Sequence, residues 1–264
     1  MQFEIKGLVL RETPTGENGS WLDVLTAEAG KISVYARGVR SYKSRNRDAT
    51  APLSYSTFVL NRQKPDFILL TEAKGIASYG ASTDLNKNAL SMYVAEILRE
   101  FALPDQPDGQ LLRLALNTLH AISAGKYPPR HVKPAFELRI MSDEGFAPDI
   151  GGCGECGNDE TDDVYLDVMN GGLVCGSCLA KRGEGSDKSA VPDDGTAVIL
   201  LPASRPTRAA MRYIMSSPLE RLFAFRLTDP CIAELGVIGE KYLLNHLERS
   251  FPTLDFYKQV ERLG

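Results

Sequence analysis

The chain has 264 residues, of which 43% are hydrophobic and 24% are charged, and its formal net charge is −4. This composition is typical of a globular protein, and the length allows two domains or one large one. No apolar run reaches the roughly 18 residues of a transmembrane helix, and the opening MQFEIK lacks the order of a signal peptide. We therefore expect a cytoplasmic protein with no membrane partner.

The first 75 residues predict five short β-strands, because apolar residues recur there at alternate positions or in short runs between turn residues. Gly, Pro and Asn mark the predicted turns. Five strands in so short a segment indicate a small closed barrel of the oligonucleotide-binding (OB) type. The predicted strands cover residues 3–10, 21–26, 31–37, 55–60 and 67–71.

A basic segment begins in the third predicted strand. Residues 31–47 contain six Lys and Arg and no Asp or Glu, although the protein as a whole is acidic. Lys31, Tyr35 and Arg37 share one strand face, so that cations flank an aromatic ring. Such a face can stack a base while the cations hold phosphates.

Two further cations, Arg62 and Lys64, are predicted to lie in the loop between the fourth and fifth strands, a loop that OB folds often use for ligand contact. Nothing in the segment predicts hydrogen bonding to base edges, so we expect weak sequence preference. The full set of predicted nucleic-acid-binding residues is Lys31, Tyr35, Arg37, Arg40, Lys43, Arg45, Arg47, Arg62 and Lys64.

The period of the apolar pattern changes from 2 to 3.6 after residue 80, which predicts helices. The first helix is capped by Thr83 or Asp84, and others follow at about 109–123 and 130–143. A polar loop is predicted at 183–195. Beyond it, Ser217 begins a capping-box sequence, and Asp229-Pro230 begins the last long helix.

Four cysteines, Cys153, Cys156, Cys175 and Cys178, have the spacing C-x2-C-x18-C-x2-C. Two such pairs can close a tetrahedron around one Zn²⁺, and four thiolates leave no position for water or substrate. The sequence therefore predicts one structural zinc ion in a ribbon. The segment between the first and last cysteine contains six acidic residues and no Lys or Arg, which disfavours DNA binding by the ribbon. The fifth cysteine, Cys231, is predicted to be buried in a helix.

The predicted fold class is α+β: a five-stranded OB-type barrel followed by an α-helical domain that carries a four-cysteine zinc ribbon. The predicted domains are residues 1–80 for the barrel and 81–264 for the helical part, with the ribbon inserted at about 150–181.

A zinc enzyme is an alternative that the motifs disfavour. Deaminases place a His-x-Glu before a Pro-Cys-x-x-Cys, whereas the one His-x-Glu here, at His246, follows both cysteine pairs and lies in a predicted helix. The glycines at 152, 154 and 157 match a dinucleotide-binding pattern, but they lie among the cysteines without the required strand and helix. We therefore predict no enzymatic activity.

Several stretches of this sequence together resemble the RecO family of bacterial DNA-repair proteins. They are residues 7–11 (GLVLR), 25–40 (LTAEAGKISVYARGVR), 43–45 (KSR) and the segment 136–148 (FELRIMSDEGFAP) ahead of the first cysteine pair. The order of barrel, helices, ribbon and helices is also similar. The sequence departs from the family at Gly19-Ser20-Trp21, where the second strand usually opens with an acidic or small polar stretch.

The resemblance implies a non-enzymatic recombination mediator in the bacterial cytoplasm, associated with the nucleoid. Such proteins bind single- and double-stranded DNA, anneal complementary strands and help the recombinase load onto DNA coated by single-strand-binding protein. The implied partners are RecR and the acidic C-terminal tail of the single-strand-binding protein. A different interpretation also remains open: a protein-binding scaffold whose basic barrel face docks an acidic partner tail.

Overall fold

A computed structural model describes residues 1–80, 82–184 and 198–263, with the side chains of 182–184 left out. The fold is mixed α+β, as the sequence predicts. Contacts between Cα atoms divide the chain into two compact units, Met1–Lys126 with Phe251–Gly264, and Tyr127–Ser250. None of the described helices combines the length and the apolarity that crossing a bilayer requires.

The first unit contains a closed barrel of five strands in the order β1-β2-β3-β5-β4, with β3 and β5 parallel and the other pairs antiparallel. The five predicted strands are confirmed, and four of them are longer than predicted, because hairpin pairing continues through polar residues beyond the apolar core. The strands are β1 (Gln2–Thr15), β2 (Gly19–Thr26), β3 (Gly30–Ala36), β4 (Ser54–Lys64) and β5 (Phe67–Ser78).

The barrel interior is filled by one side of each strand. Along β3, Ile32, Val34 and Ala36 are buried in the core, whereas the residues between them lie on the outer face. Alternation therefore determines which side chains of this strand are available to a ligand. The other large core residues include Val9, Leu22, Val24, Phe58, Leu60, Ile68 and Leu70.

Gly30 begins β3 with φ +58°, in the left-handed region that favours glycine. A Cβ at this position would also collide with the backbone carbonyl oxygens of Leu103 and Gln106. The next residue donates its backbone N–H to the Leu103 carbonyl at 3.0 Å. Close approach of two backbones and a positive φ therefore both require glycine here.

Gly30→Ala is expected to lower the free energy of unfolding by about 2 to 4 kcal/mol, because it adds overpacking to an unfavourable φ. The matched control is Gly38→Ala, at φ +69° with nothing within 4 Å of the added Cβ, for which about 1 kcal/mol is expected. Urea denaturation followed by circular dichroism measures both. Equal destabilisation of the two variants would contradict the collision argument.

Four helices complete the first unit. The amides of Asn86 and Lys87 donate to the Asp84 side chain, which confirms the predicted cap, and the helix Gly109–Ala124 is followed by its C-cap Gly125, whose φ is +66°. The short α1 and the terminal α8 were absent from the sequence prediction; α8 packs against α2. The helices are α1 (Arg47–Thr50), α2 (Leu85–Phe101), α3 (Gly109–Ala124) and α8 (Pro252–Leu263).

The second unit joins helices to a small sheet of order β6-β8-β7-β9. Residues 200–202 complete this sheet, so the ribbon extends beyond the predicted 150–181. The strands are β6 (Asp149–Cys153), β7 (Val164–Asp167), β8 (Gly172–Cys175) and β9 (Leu200–Pro202). The helices are α4 (Pro129–Asp143), α5 (Gly176–Glu184), α6 (Arg205–Ser216) and α7 (Asp229–Leu247).

Three sequence expectations differ from this unit. The capping-box sequence starts only a 3-10 helix, Leu219–Arg221, and no side chain caps it. Cys231 is half-buried at the start of α7 and not fully buried. The predicted polar loop at 183–195 begins inside α5, and its remainder lies outside the described residues.

His131 on α4 is a buried histidine enclosed by aromatic rings. Its ring stacks on Phe225 with centroids 4.0 Å apart, and Tyr127 stacks on it at 5.4 Å. Burial lowers the pKa of His131 from its ordinary value, and a hydrogen bond to the Phe223 carbonyl acts in the opposite direction. The imidazole is therefore expected to be neutral in the folded protein at pH 7.

The unfolded chain binds a proton at His131 at a higher pH than the folded chain does, so this residue's contribution to stability is present above about pH 6.5 and is lost as the pH falls. We expect His131→Phe to flatten the fall in the free energy of unfolding between pH 7 and pH 5. Urea titrations at several pH values measure it. Parallel profiles for wild type and His131→Phe would refute the assignment.

Candidate metal centre and nucleic-acid interface

The four cysteines of the ribbon converge. Their sulfur atoms all lie within 4.8 Å of one another, and the Sγ atoms of Cys156 and Cys175 are 3.8 Å apart. Tetrahedral zinc with Zn–S bonds of about 2.3 Å separates its sulfur ligands by about 3.8 Å. Cys153, Cys175 and Cys178 are buried and Cys156 is exposed. The four thiols are therefore positioned to bind one metal ion.

Strand ends and a helix start bring these cysteines together. Cys153 ends β6 and Cys175 ends β8, while Cys178 lies in the first turn of α5. The Cys175 backbone N–H donates to the Cys153 sulfur at 3.4 Å. Gly157, at φ +72°, turns the chain back after the first pair and donates its N–H to the Cys153 carbonyl at 2.7 Å.

The Cys153 thiol is prepared for deprotonation. Burial raises its pKa, but hydrogen bonds from backbone amides, the largest from Cys175, outweigh burial and lower the pKa to about 6. Metal ligation needs the thiolate form, so donated N–H groups favour binding.

Two arginines on α6 bind backbone carbonyls of the ribbon, and the sequence analysis missed both. Arg208 is 1% exposed and donates to the backbone carbonyls of Asp159 at 3.2 Å and Thr161 at 2.6 Å. Arg212 donates to the Ile150 carbonyl at 2.8 Å. Helical spacing of four places the two side chains on one face, which is a detectable pattern. Their carbonyl partners lie in the loop at 159–161 and in β6, far from α6 in the sequence, and no sequence period reveals them.

The predicted basic face is largely exposed. Seven of its nine residues are exposed to solvent, and none of these seven makes an ion pair within the described part of the chain. Unpaired cations at a surface are available to phosphates. The seven are Arg37, Arg40, Lys43, Arg45, Arg47, Arg62 and Lys64.

Lys31 is placed differently from the other cations. It is half-buried, and its Nζ donates to the Arg99 backbone carbonyl at 2.8 Å. Strand β3 ends at Ala36, so Arg37 follows it in a turn and does not share the strand face of Lys31 as predicted. Six residues separate Lys31 from Arg37, which is about 20 Å along an extended chain. Lys31 therefore belongs to the contact between β3 and α2, while Arg37 lies beyond the opposite end of the strand.

Arg40 and Arg47 are brought together by the loop after β3. Both line a cavity of about 490 Å³, which Glu12 and Thr50 also line. The Arg40 backbone N–H donates to the Asn18 carbonyl at 3.2 Å and thereby ties the loop to the β1–β2 turn. Two guanidinium groups at one concave surface suit an anionic group.

The expected loop position of Arg62 and Lys64 is wrong, because both are the closing residues of β4, and only Pro65 and Asp66 form the turn. Lys64 pairs with Phe67 across the hairpin. The guanidinium of Arg62 lies 6.0 Å from the centre of the Phe3 ring, and Arg62 also donates to the Pro65 carbonyl at 3.2 Å. The strand pairing thus holds both cations on the barrel wall.

An aromatic cluster on the outer face of the barrel was only partly predicted. Tyr35 is joined there by Trp21 at a centroid distance of 5.3 Å and by Phe67 at 5.8 Å. Trp21 and Phe67 are also 5.8 Å apart, edge to face. Trp21 is the direct cross-strand partner of Tyr35, so the register of the β2–β3 hairpin could have indicated this pair from the sequence. The contact with Phe67 could not be predicted in this way, because it depends on the parallel pairing of β3 with β5 that closes the barrel.

Comparison with known proteins agrees with this architecture. The model of the family "Recombination protein O N terminal" matches residues 1–79, and "Recombination protein O C terminal" matches residues 82–192. A protein named DNA repair protein RecO from Acetivibrio thermocellus is 31% identical, with 99% of this chain and 98% of the relative covered. One of the same name from Caldicellulosiruptor bescii is 32% identical, with 98% and 99% covered.

Proposed function

Since the chain belongs to the RecO family of DNA repair proteins, we propose that it is a non-enzymatic recombination mediator that binds single- and double-stranded DNA. In this proposal it anneals complementary strands and assists recombinase loading on DNA coated by single-strand-binding protein. It acts in the bacterial cytoplasm at the nucleoid.

The observation that carries the proposal is the set of seven exposed cations on the barrel and its adjoining loop, without ion-pair partners among the described residues. The separation of charge along the sequence supports it: residues 1–81 have 11 basic against 8 acidic side chains, whereas residues 82–264 have 19 against 26. The barrel segment is therefore the part that attracts a polyanion, and the rest of the chain is repelled by it.

Annealing needs no chemical step. Two complementary strands repel each other through their phosphates, and cations that bind both backbones lower that repulsion without blocking the base edges. The arginines and lysines of the loop are suited to this role because they are exposed and because their contacts carry no sequence information. Base pairing between the strands then selects the correct partner.

We propose two protein partners, RecR and the acidic C-terminal tail of the single-strand-binding protein. We further propose that the metal is a single structural Zn²⁺ held by Cys153, Cys156, Cys175 and Cys178. The convergence of four thiols supports a closed site, which leaves no coordination position for catalysis.

The test is binding of the purified protein to naked oligonucleotides at several salt concentrations, followed by an annealing assay with complementary strands. We expect binding whose log affinity falls linearly with log salt, and faster annealing than without protein. Affinity only for an acidic peptide tail, with no binding to naked DNA at low salt, would support the protein-binding scaffold and reject the proposal.

A further inference from the structure

We propose that Trp21, Tyr35 and Phe67 form a stacking platform for the unpaired bases of single-stranded DNA. This inference rests on the proposed function and assigns a specific role to one part of the barrel surface. The three rings lie on the outer face of β2, β3 and β5, and two cations lie beside them.

The cluster does not fill the barrel core. Leu22, Val34 and Ile68 are the inward-facing neighbours of the three rings, and they are buried in the core. Trp21, Tyr35 and Phe67 alternate with them and are half-buried on the outside. Three large aromatic side chains, with ring centroids 5.3 to 5.8 Å apart, thus form a patch on the outer surface.

The position of Tyr35 is set by the absence of a side chain at Gly19. A Cβ on Gly19 would lie 2.8 Å from the Tyr35 hydroxyl and 3.3 Å from the ring carbon that carries it. The ring can therefore lie against the bare backbone of β2. A ring held in this way loses little conformational entropy when a base stacks on it.

Charge complementarity identifies the occupant as a nucleic acid. Lys64 pairs with Phe67 across β4 and β5, and Arg37 lies two residues beyond Tyr35, in the turn that follows β3. Both cations are exposed and make no ion pair among the described residues. An unpaired strand can stack its bases on the rings and place its phosphates beside the cations. Duplex bases are already stacked on one another, so the platform selects single strands.

Trp21 is the one tryptophan of the chain, so its fluorescence reports on this patch alone. The experiment titrates the full-length protein with a dT oligonucleotide and with an abasic oligonucleotide of the same length at low salt. Fluorescence anisotropy of a dye on the DNA measures binding independently. We expect both to bind, and dT to quench Trp21 fluorescence at least about twofold more than the abasic strand does.

Binding of dT without any change in Trp21 fluorescence would overturn the platform and leave the proposed function standing. Absence of binding to either strand would overturn both. These two outcomes are distinguishable because anisotropy and tryptophan fluorescence are read in the same sample.

A variant pair tests the rings apart from their effect on folding. Phe67→Val removes a ring and places in β5 a β-branched residue, which strands favour. We expect about tenfold weaker binding to dT with less than about twofold change for duplex DNA. Tyr55→Val, at a half-buried ring on β4, is the matched control and should change neither. Equal losses for single-stranded and duplex DNA in Phe67→Val would reject the platform.

Discussion

Replacing Cys175 with serine is expected to abolish metal binding and to unfold the ribbon. A structural zinc site contributes on the order of 10 kcal/mol of binding free energy, which is comparable with the whole stability of a domain. Cys175 is buried, and its sulfur is 3.8 Å from that of Cys156. Without the ion, nothing holds the remaining cysteines together, and the short strands β6 and β8 lose the metal that links their ends.

Elemental analysis should give one zinc per chain for the wild-type protein and none for Cys175→Ser, and hydrogen exchange should show lost protection of residues 149–178. Cys231→Ser is the control, because that cysteine is half-buried on α7 and outside the cluster; it should retain one zinc. Since we propose a purely structural role for the ribbon, we expect Cys175→Ser to alter affinity for naked DNA by less than about twofold. Full zinc content in Cys175→Ser would show that the metal is held elsewhere.

The second large effect is expected from the basic loop. Replacement of Arg37, Arg40 and Lys43 together by alanine should make the slope of log affinity against log salt shallower by about 2 to 3, since each lost phosphate contact removes about 0.7 to 0.9. At low salt, the affinity should fall on the order of 10- to 100-fold. Both single-stranded and duplex DNA should be affected, because phosphates are common to both.

The matched control removes three exposed cations outside the basic segment, Lys6, Arg221 and Arg226, and so changes the net charge equally. Its slope should stay close to that of the wild type if DNA contacts are local. Equal slopes for the two triple variants would show that the general charge of the protein, and not this loop, attracts DNA. Circular dichroism confirms that each variant remains folded.

Local patterns predicted most of the barrel and much of the helical framework. The alternation of Ile32 and Val34 identified the inward face of β3, and Asp84 identified the start of α2, because a strand period and a cap depend on neighbouring residues. The prediction failed at Ser217, where a capping-box sequence starts only a 3-10 helix. Its hydroxyl caps nothing, and Ser217 is buried and contributes its backbone carbonyl to Arg139 at 2.6 Å.

In the candidate interface, too, local patterns predicted the residue types, and the tertiary fold determined their contacts. Lys31 and Arg37 have the same charge and belong to the same predicted strand, and no local pattern separates them. The tertiary fold does, because α2 presents the Arg99 carbonyl to the Lys31 ammonium group. Trp21 appeared from the sequence to be a departure from the family pattern, and only the closure of the barrel brought it into contact with Phe67.

The sequence alone determined the four cysteines that converge, the basic character of the barrel segment and the alternation of its strands. Each of these depends on residue type and on spacing over a few positions. The tertiary structure decided which cations are exposed, which rings meet, and which arginines hold the ribbon. Those contacts join residues that are distant in the chain, and their geometry depends on strand register and helix packing, which short-range patterns do not encode.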